Sequence, residues 1–544
     1  MKKIYSALVL LLGIVVVLDL FHPGFPVTHD GQDHIARIAN FYQNLSEGNV
    51  IPRWAANLNW GYGHPILEFL YPLSSYTASF FHSVGFSFVD SVKIVLGLGI
   101  VLSGIFMYLW LAEFLGFASA FIGAVLYMFA PYRFVDLYVR GDIGENLAFA
   151  FMPLALYFIL KLSHNVKSKY LTGGFASVAL LILSHNAIAL MYMPFIFLYG
   201  LVLGFYLKNK KEYFVNFLFL LALGLGLSAF FWIPGLLEAK FTLRNIVTKG
   251  SYISRFVDIK SLLYGSWSYG GTGQFTVQLG ILQWISIVLS PFLVLVLWRK
   301  KRKESLLLLS LLIYTLAAIF LMLAPSNFIW QRFIILQNFQ FPWRFLSITV
   351  FSASVLGALV FNKISLKAQK FAVLVFVIVI FFLSKDYLRA QGYLQKSEDF
   401  FTGVYNSTTD TGESSPIWSV RFMEKRAAGH MEVLDGSAKI EVLKYSSTYH
   451  KYHIIVDRRT LFQENTLYFP GWEIKANGKL LGLEFQNQQH KGVMLFFLDK
   501  GDYIVEAFYK ETKLRLLSDF ISVASLIAIL VYNVWSIKLW RRFQ

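Results

Sequence analysis

Long apolar runs separated by short polar breaks dominate the first 385 residues and return at the end of the chain. Each run is close to the 17 to 25 residues that a helix needs to cross a hydrocarbon core of about 30 Å. They fall near 4–21, 90–113, 117–134, 146–162, 170–184, 187–206, 213–234, 276–297, 305–324, 343–361, 369–384 and 515–538, which predicts about 12 transmembrane helices. Between 386 and 514 the period changes. Short β-favouring runs at Ile454–Val456, Leu467–Phe469, Trp472–Lys475, Val493–Leu498 and Tyr503–Tyr509 are separated by turn signals such as Ala476-Asn477-Gly478-Lys479 and Asp499-Lys500-Gly501-Asp502. Asn-Gly between two strands is a strong hairpin signal. The expected fold is an all-α polytopic membrane bundle with an extracytoplasmic β-sandwich inserted before the last helix.

The expected division is therefore a transmembrane domain over 1–385, a β-sandwich over 386–514, and a last helix with a basic tail over 515–544. The first domain includes a long first external loop, 22–89. Its second half, Pro65 to Gly85, is rich in Phe, Tyr, Leu and Ser and reads as interfacial. Further external loops are expected at 135–145, 235–275 and 325–342. The Gly-Ser-Trp-Ser-Tyr-Gly-Gly-Thr-Gly run of 265–273 marks the most flexible of these.

Composition agrees with a membrane protein: 56% of residues are hydrophobic and only 15% charged, above the roughly 45–50% apolar content of soluble domains. The net charge of +17 could suggest a nucleic-acid partner, but its distribution excludes that reading. Basic clusters occupy alternate short loops, at 161–170, 207–212, 299–304 and 362–370, while 386–514 holds 16 Lys or Arg against 17 Asp or Glu. Basic loops face the cytoplasm, so both termini are expected inside and the β-domain outside. Without a single cysteine, the external part must stand without disulfides. No small-residue cleavage site precedes Phe21-His22-Pro23, so the first segment reads as a retained helix.

With this topology the ionisable residues collect at one face. Asp30, Asp33, His34 and Arg37 lie in the first external loop, Arg140 and Glu145 in the second, His185 between two spans, and Arg344 before a later one. Charged groups at membrane depth mark function by default. Arg can fix a lipid phosphate, and a carboxylate can take a proton from an incoming hydroxyl. Arg344 begins a helix, where a cation is disfavoured unless an anion lies near. Plainer readings exist: Asp30 as the cap of a helix starting at Gly31, Arg37 as an interfacial cation, His185 as a hydrogen-bonded structural histidine, Trp60 and Tyr62 as interfacial aromatics rather than sugar-stacking rings. Asp30 and His34, one helical turn apart, are also candidate ligands for a divalent metal such as Mg or Mn, though two ligands do not define a site.

These residues resemble a known family. His29-Asp30-xxx-His34-xx-Arg37-Ile38, Gly48-xx-Ile51-Pro52-Arg53-Trp54, Gly61-Tyr62-Gly63, Phe69-Leu70-Tyr71-Pro72, Tyr138-Val-Arg140-Gly-Asp-Ile-Gly-Glu145, Leu183-Ser184-His185-Asn186, Trp232-x-Pro234, Phe341-Pro342-Trp343-Arg344-Phe345 and Tyr468-Phe-Pro-Gly-Trp472 are similar to motifs of bacterial membrane proteins labelled 6-pyruvoyl-tetrahydropterin-synthase-related. These belong to the GT-C glycosyltransferase superfamily, alongside membrane proteins that glycosylate teichoic acids. The pterin label is nominal, since no zinc-dependent pterin domain is visible. The resemblance implies sugar transfer from a polyprenyl-phosphate donor to a cell-envelope glycan, lipid or protein. It makes Asp30 the base, while Asp33 stands where an apolar or aromatic residue is more usual. In this reading His34 assists Asp30, Glu145 is a second acid, and Arg140 and Arg344 hold the phosphate. A transporter or flippase of lipid-linked saccharide, or a non-catalytic envelope-assembly protein, are the alternatives.

The topology has a direct test. A cysteine introduced at position 30 should be labelled by an impermeant reagent added outside the cell; labelling from the cytosol alone would place the first loop on the wrong side.

Overall fold

A computed structural model of the protein describes residues 1–270 and 275–542, with side chains described to 534. Part of the glycine-rich run at 265–273 thus lies outside the described residues, as do the side chains of the basic tail. Eight helices among the described residues are long and apolar enough to cross a membrane: Phe88–Leu111, Ile143–His164, Asn186–Phe205, Ile281–Lys300, Arg302–Met322, Pro342–Phe361, Leu366–Ser384 and Lys513–Val534. Two bent pairs, Phe117–Met128 with Pro131–Arg140 and Lys210–Leu227 with Ala229–Leu237, are together long and apolar enough and are bent by 48° and 69°, each a broken span or a re-entrant loop. The count is therefore eight to ten rather than about twelve.

The other two expected spans form shorter helices, Lys2–Val16 of 15 residues and Ser168–Ser184 of 17. At about 1.5 Å per residue these fall short of a 30 Å core. The bends have local causes. Pro131 lacks the N–H that would continue the first helix, and the other pair breaks at Ser228, whose hydroxyl donates back to the Gly224 and Leu225 carbonyls. Ile143–His164 lies at the centre of the bundle, with 83% of its most apolar window buried, against 11% for Leu366–Ser384 at the periphery. Its neighbour Phe88–Leu111 comes close enough that a Cβ at Gly99 would lie 2.8 Å from the Asn146 backbone.

The expected external loop at 135–145 is instead buried throughout. Its backbone winds as a π-helix, Val135–Arg140, and leaves it through Gly141 at φ 67°, a left-handed conformation that glycine adopts without strain. Extra turns of this kind are frequent at functional sites. The first loop also differs from expectation. After helix Gly31–Ser46, residues 66–69 and Tyr71 are buried, and the large exposed apolar residues are Val50 and, at the far end, Phe80, Val84 and Phe86. Exposed apolar residues belong instead to the loops around 236–264 and 328–335.

Strand β1 (Phe25–Pro26) pairs with β2 (Tyr393–Leu394), tying the first loop to the segment after the last bundle helix. The remaining strands begin at 431: β3 (Met431–Asp435), β4 (Ala438–Tyr445), β5 (Tyr449–Val456), β6 (Thr460–Leu467), β7 (Trp472–Ala476), β8 (Lys479–Leu480), β9 (Val493–Leu498) and β10 (Gly501–Tyr509). They form two antiparallel sheets, ordered β4-β5-β10-β7-β8 and β3-β6-β9. Apolar residues of both sheets, including Tyr452, Ile454, Phe462, Ile474, Phe496 and Val505, share one core. Asn477 (φ 48°) and Gly478 (φ 78°) make the expected β7–β8 hairpin turn. The turn after Leu498 joins strands of different sheets. Inside this region lies a buried His450–Glu464 pair at 2.8 Å, which the sequence did not reveal.

A second buried network joins the sheets to the bundle. Arg53 of the first loop pairs with Glu511 at 2.9 Å and Asp519 at 2.8 Å, at the junction of β10 with the last helix. Arg515 pairs with Glu68 at 2.9 Å and Glu238 at 2.6 Å. Both arginines are buried, and removing one partner from such a pair costs about 3–5 kcal/mol because the other charge stays desolvated. Arg515→Leu should therefore lower the melting temperature in detergent sharply, whereas a triple change that also replaces Glu68 and Glu238 by Leu should recover much of the loss. An unchanged melting curve for the single variant would show that the network does not hold the two regions together.

Candidate active site

Loop one and the π-helix are joined by backbone. The N–H groups of His29 and Asp30 donate to the carbonyls of Val139 and Arg140, each at 2.9 Å. The approach requires glycine at 141, where a Cβ would lie 2.5 Å from Thr28 Oγ1. This contact places Asp30 beside a buried charge cluster built from the two ends of the second loop.

Arg140 is the centre of that cluster. Its Nη1 reaches Asp136 at 2.5 Å and Glu145 at 2.7 Å, and its Nη2 reaches Asp142 at 2.5 Å. Tyr132 donates to the other Glu145 oxygen at 2.7 Å, and Tyr71 donates to Asp142 at 3.3 Å. Asp142 also caps helix Ile143–His164 by accepting from the N–H groups of Gly144 and Glu145. Burial alone would raise the Asp142 carboxyl, but Arg140, then His185 and His34, hold it below the usual aspartate range. The Trp343 ring lies 4.7 Å from the Arg140 guanidinium. Behind the cluster, fully buried Arg133 rests 3.9 Å from the Phe149 ring.

Asp30 differs from these acids. It occupies the N-cap position of helix Gly31–Ser46, yet its side chain makes no cap hydrogen bond; Thr28 Oγ1 accepts from the Gly31 N–H instead. The capping reading is thereby overturned. Among the described residues its carboxyl has no hydrogen bond or ion pair, and the residue keeps solvent contact. Surrounding protein nevertheless disfavours its charge and raises its pKa, an effect opposed by Arg140 and Arg37 and moderated by the solvent that still reaches it. Asp33 is half-buried and accepts from the Tyr405 hydroxyl at 2.8 Å; burial raises it too.

Other expected site residues are placed differently. His34 is buried, and burial with the nearby Arg37 lowers it to about 3. Its Nδ1 lies 3.0 Å from Arg37 Nη1. Because a guanidinium only donates, Nδ1 accepts and Nε2 carries the proton. Neutral His34 is thus a hydrogen-bond donor and has no free nitrogen to help Asp30 as a base. Arg37 is buried and also gripped by the Thr409 hydroxyl and carbonyl, so it braces the loop rather than lying open at an interface or facing a substrate. Glu145 has both oxygens engaged. Tyr62 and Trp60 pack into the core shared with the β-sheets, so the site does not gain them as sugar platforms. Arg140, expected to bind phosphate, is already surrounded by three carboxylates.

His185 does join the cluster. Its Nδ1 accepts from the Ile188 N–H at 3.3 Å, and its Nε2 lies 3.9 Å from Asp142; burial lowers it to about 4. Asp142, Glu145 and His185 each bring a ligand atom within 4.8 Å of the others, a grouping that could hold a metal ion. As arranged, the donors do not fit one. Arg140 already occupies both carboxylates, and the His185 tautomer leaves a proton on Nε2. The Asp30–His34 metal pair is no better placed, since His34 Nδ1 faces Arg37.

Sequence reasoning passed over Asp136, Tyr132, Tyr71 and Trp343, and counted Asp142 among the charges at this face without giving it a role. Asp142, Tyr71 and Trp343 lay within the quoted motifs, which was the available signal; Asp136 and Tyr132 sit on a turn whose extra residue no periodicity announces.

No family model matches the chain, so the pterin-synthase-related label rests on its motifs. A relative described as an uncharacterized protein, from Lactococcus lactis subsp. cremoris (strain MG1363), is 25% identical over 281 residues, 48% of this chain and 44% of that protein. The chain thus spans less than half of the curated relative it matches. Among solved structures, ArnT from Cupriavidus metallidurans bound to undecaprenyl phosphate aligns over 73% of this chain and 67% of that one, at 12% identity and a TM-score of 0.39. The Archaeoglobus fulgidus oligosaccharyltransferase, in complex with Zn and sulfate, aligns over 75% and 58%, at 14% identity and a TM-score of 0.44. With both scores below 0.5, these likenesses carry no weight in the functional reading.

The depressed histidines set a pH dependence. Unfolded histidines bind protons below about 6.5, while folded His34 and His185 resist until about 3 and 4. The unfolded state therefore binds more protons in this window, and stability falls as pH drops from 6.5 towards 4. Thermal melts at pH 7.5 and 4.5 should show the loss, and His34→Gln with His185→Gln should reduce it. A pH-independent difference between variant and parent would contradict neutral histidines here.

Proposed function

We propose that the protein is a membrane glycosyltransferase of the GT-C type, moving a sugar from a polyprenyl-phosphate donor to an acceptor hydroxyl of the cell envelope, with the reaction on the extracytoplasmic side. The observation that carries this reading is the state of Asp30: the one carboxyl of the first loop left without hydrogen bond or ion pair among the described residues, solvent-reachable, and fixed by backbone against a buried charge cluster at the end of the spans. The buried acids beside it, Asp136, Asp142 and Glu145, are all paired, which leaves Asp30 as the carboxyl open to a substrate.

In this reading the Asp30 carboxylate accepts the proton of the acceptor hydroxyl, whose oxygen bonds to the anomeric carbon of the donor. The bond from that carbon to the lipid phosphate oxygen breaks, and the phosphate departs with its electron pair. The raised pKa of Asp30 makes it a better proton acceptor than an ordinary aspartate. Neutral His34 and His185 act as Nε2–H donors, and the Arg140–Asp136–Asp142–Glu145 cluster keeps the loop that carries Asp30 in register. The acceptor, a glycan, lipid or protein, lies on the side where the β-sheets pack over the first loop.

Two bent spans favour a second reading, because broken helices are common in transporters of lipid-linked substrates. Reconstituted protein separates the two. Asp30→Asn should lower sugar transfer from a labelled polyprenyl-phosphate sugar by about 10²-fold or more without changing the melting temperature, and transfer by the parent should rise with pH through a pKa above that of a free aspartate. Normal turnover by the folded variant would remove Asp30 from the chemistry. Donor crossing the bilayer with no new glycosidic product would favour the carrier.

A further inference from the structure

Two guanidiniums near the same site have no counter-charge. Arg344, in the turn Pro342–Phe345, lies 4.9 Å from the centroid of the Phe341 ring, and Arg255, in the turn Ile253–Arg255 of the third external loop, lies 5.4 Å from the same centroid. Neither forms an ion pair among the described residues, and the undescribed residues 271–274, Gly-Thr-Gly-Gln, contain no acid. Arg344 donates to the Phe339 carbonyl at 2.9 Å, while its Nε is buried without an acceptor. Two cations gathered on one ring gain cation–π attraction from it but repel each other, and a buried donor without a partner is costly. An anion with several oxygen acceptors within reach of both would offset the repulsion and give Arg344 Nε an acceptor.

The ring is deliberately presented. Gln340 adopts φ 60°, a strained value for a residue with a side chain, and its amide is held by Glu413 at 3.0 Å. Phe341 N–H donates back to the Phe339 carbonyl at 2.6 Å. Phe341 then stacks on Trp343 at 5.0 Å, and Trp343 lies beneath Arg140. An anion at Arg255 and Arg344 would thus lie next to the acid cluster, separated from it by the Phe341 and Trp343 rings and by Arg140.

We propose that Arg255 and Arg344, gathered around Phe341, form the binding site for the phosphate headgroup of a lipid, taking the role that Arg140 cannot fill. Guanidiniums match phosphate oxygens with paired donors. A lipid is favoured over free phosphate because Ile253, Phe333 and Ile334 on the same two loops are exposed, as expected for segments at the headgroup layer. The exposed Arg255 lets the site open to the leaflet. The identity of the lipid rests on the proposed function, but binding is readable without any sugar transfer.

Full-length protein in detergent can be titrated, by native mass spectrometry, with a polyprenyl phosphate that carries no sugar, and in parallel with inorganic phosphate and with phosphatidylglycerol. Arg255→Ala and Arg344→Ala should each weaken polyprenyl-phosphate binding about tenfold, Arg344→Lys should lose less, and Lys249→Ala, on the same loop, should bind as the parent does. Melting curves of the variants confirm folding. Unchanged affinity in both arginine variants, or an equal loss in Lys249→Ala, would overturn the site. Equal affinity for inorganic phosphate, or for phosphatidylglycerol, would overturn its assignment to a polyprenyl headgroup. Parent protein that binds the lipid through both arginines yet transfers no sugar would refute the proposed reaction and leave the site standing.

Discussion

One guanidinium holds this site together. Arg140 neutralises part of the charge of Asp136, Asp142 and Glu145 in a region from which water is largely excluded, and without it three carboxylates could not share so small a volume. Asp136 and Arg140, four residues apart, share one face of the π-helix, and Gly141 then reverses the chain so that Asp142 and Glu145 fold back onto the same guanidinium. The first loop docks on the carbonyls of that turn. The position of Asp30 is therefore set by the second loop more than by its own helix.

This constraint reassigns chemical roles. A cation enclosed by three acids is a structural counter-ion and a poor receptor for another anion, whereas Arg344 and Arg255, beside an aromatic ring and without an ion pair among the described residues, have the opposite electrostatic character. Histidine undergoes a similar change. Burial beside Arg37 strips His34 of basicity and fixes its tautomer, so a residue that reads as a proton acceptor becomes a donor. In both cases the surroundings, not the residue type, decide the chemistry available.

The β-sheets are held to the bundle by a second set of buried charges. Arg53 and Arg515 link the first loop, the end of a bent span and the start of the last helix, and residues 405–415 reach back over helix Gly31–Ser46 through Tyr405 and Thr409. The layer over the first loop is thus part of the site's walls. A charge pair buried between elements is weak as net stabilisation, yet it fixes geometry strictly, because any misalignment leaves an ion desolvated.

Apolar run length placed most helical segments, and β-favouring runs marked β7, β9, β10 and the end of β5, with Asn-Gly marking the turn after β7, because both signals are local and repeat along the chain. The tendency of Asp30, Arg140, Glu145, His185 and Arg344 to gather at one end followed from counting charges between spans. Span number was less legible, since a helix of 15 or 17 residues and a helix bent at a proline look the same as a straight one in hydropathy. Which carboxyl stays free, which arginine is spent on acids, and that Trp60, Tyr62 and Arg37 turn inward were decided by tertiary structure. Some of those outcomes depend on partners far along the chain, as Arg37 does on Thr409; Arg140 meets its acids within five residues, but only because the chain turns back after Gly141. A hydrogen bond or a desolvation cost exists only once the chain has brought both groups together.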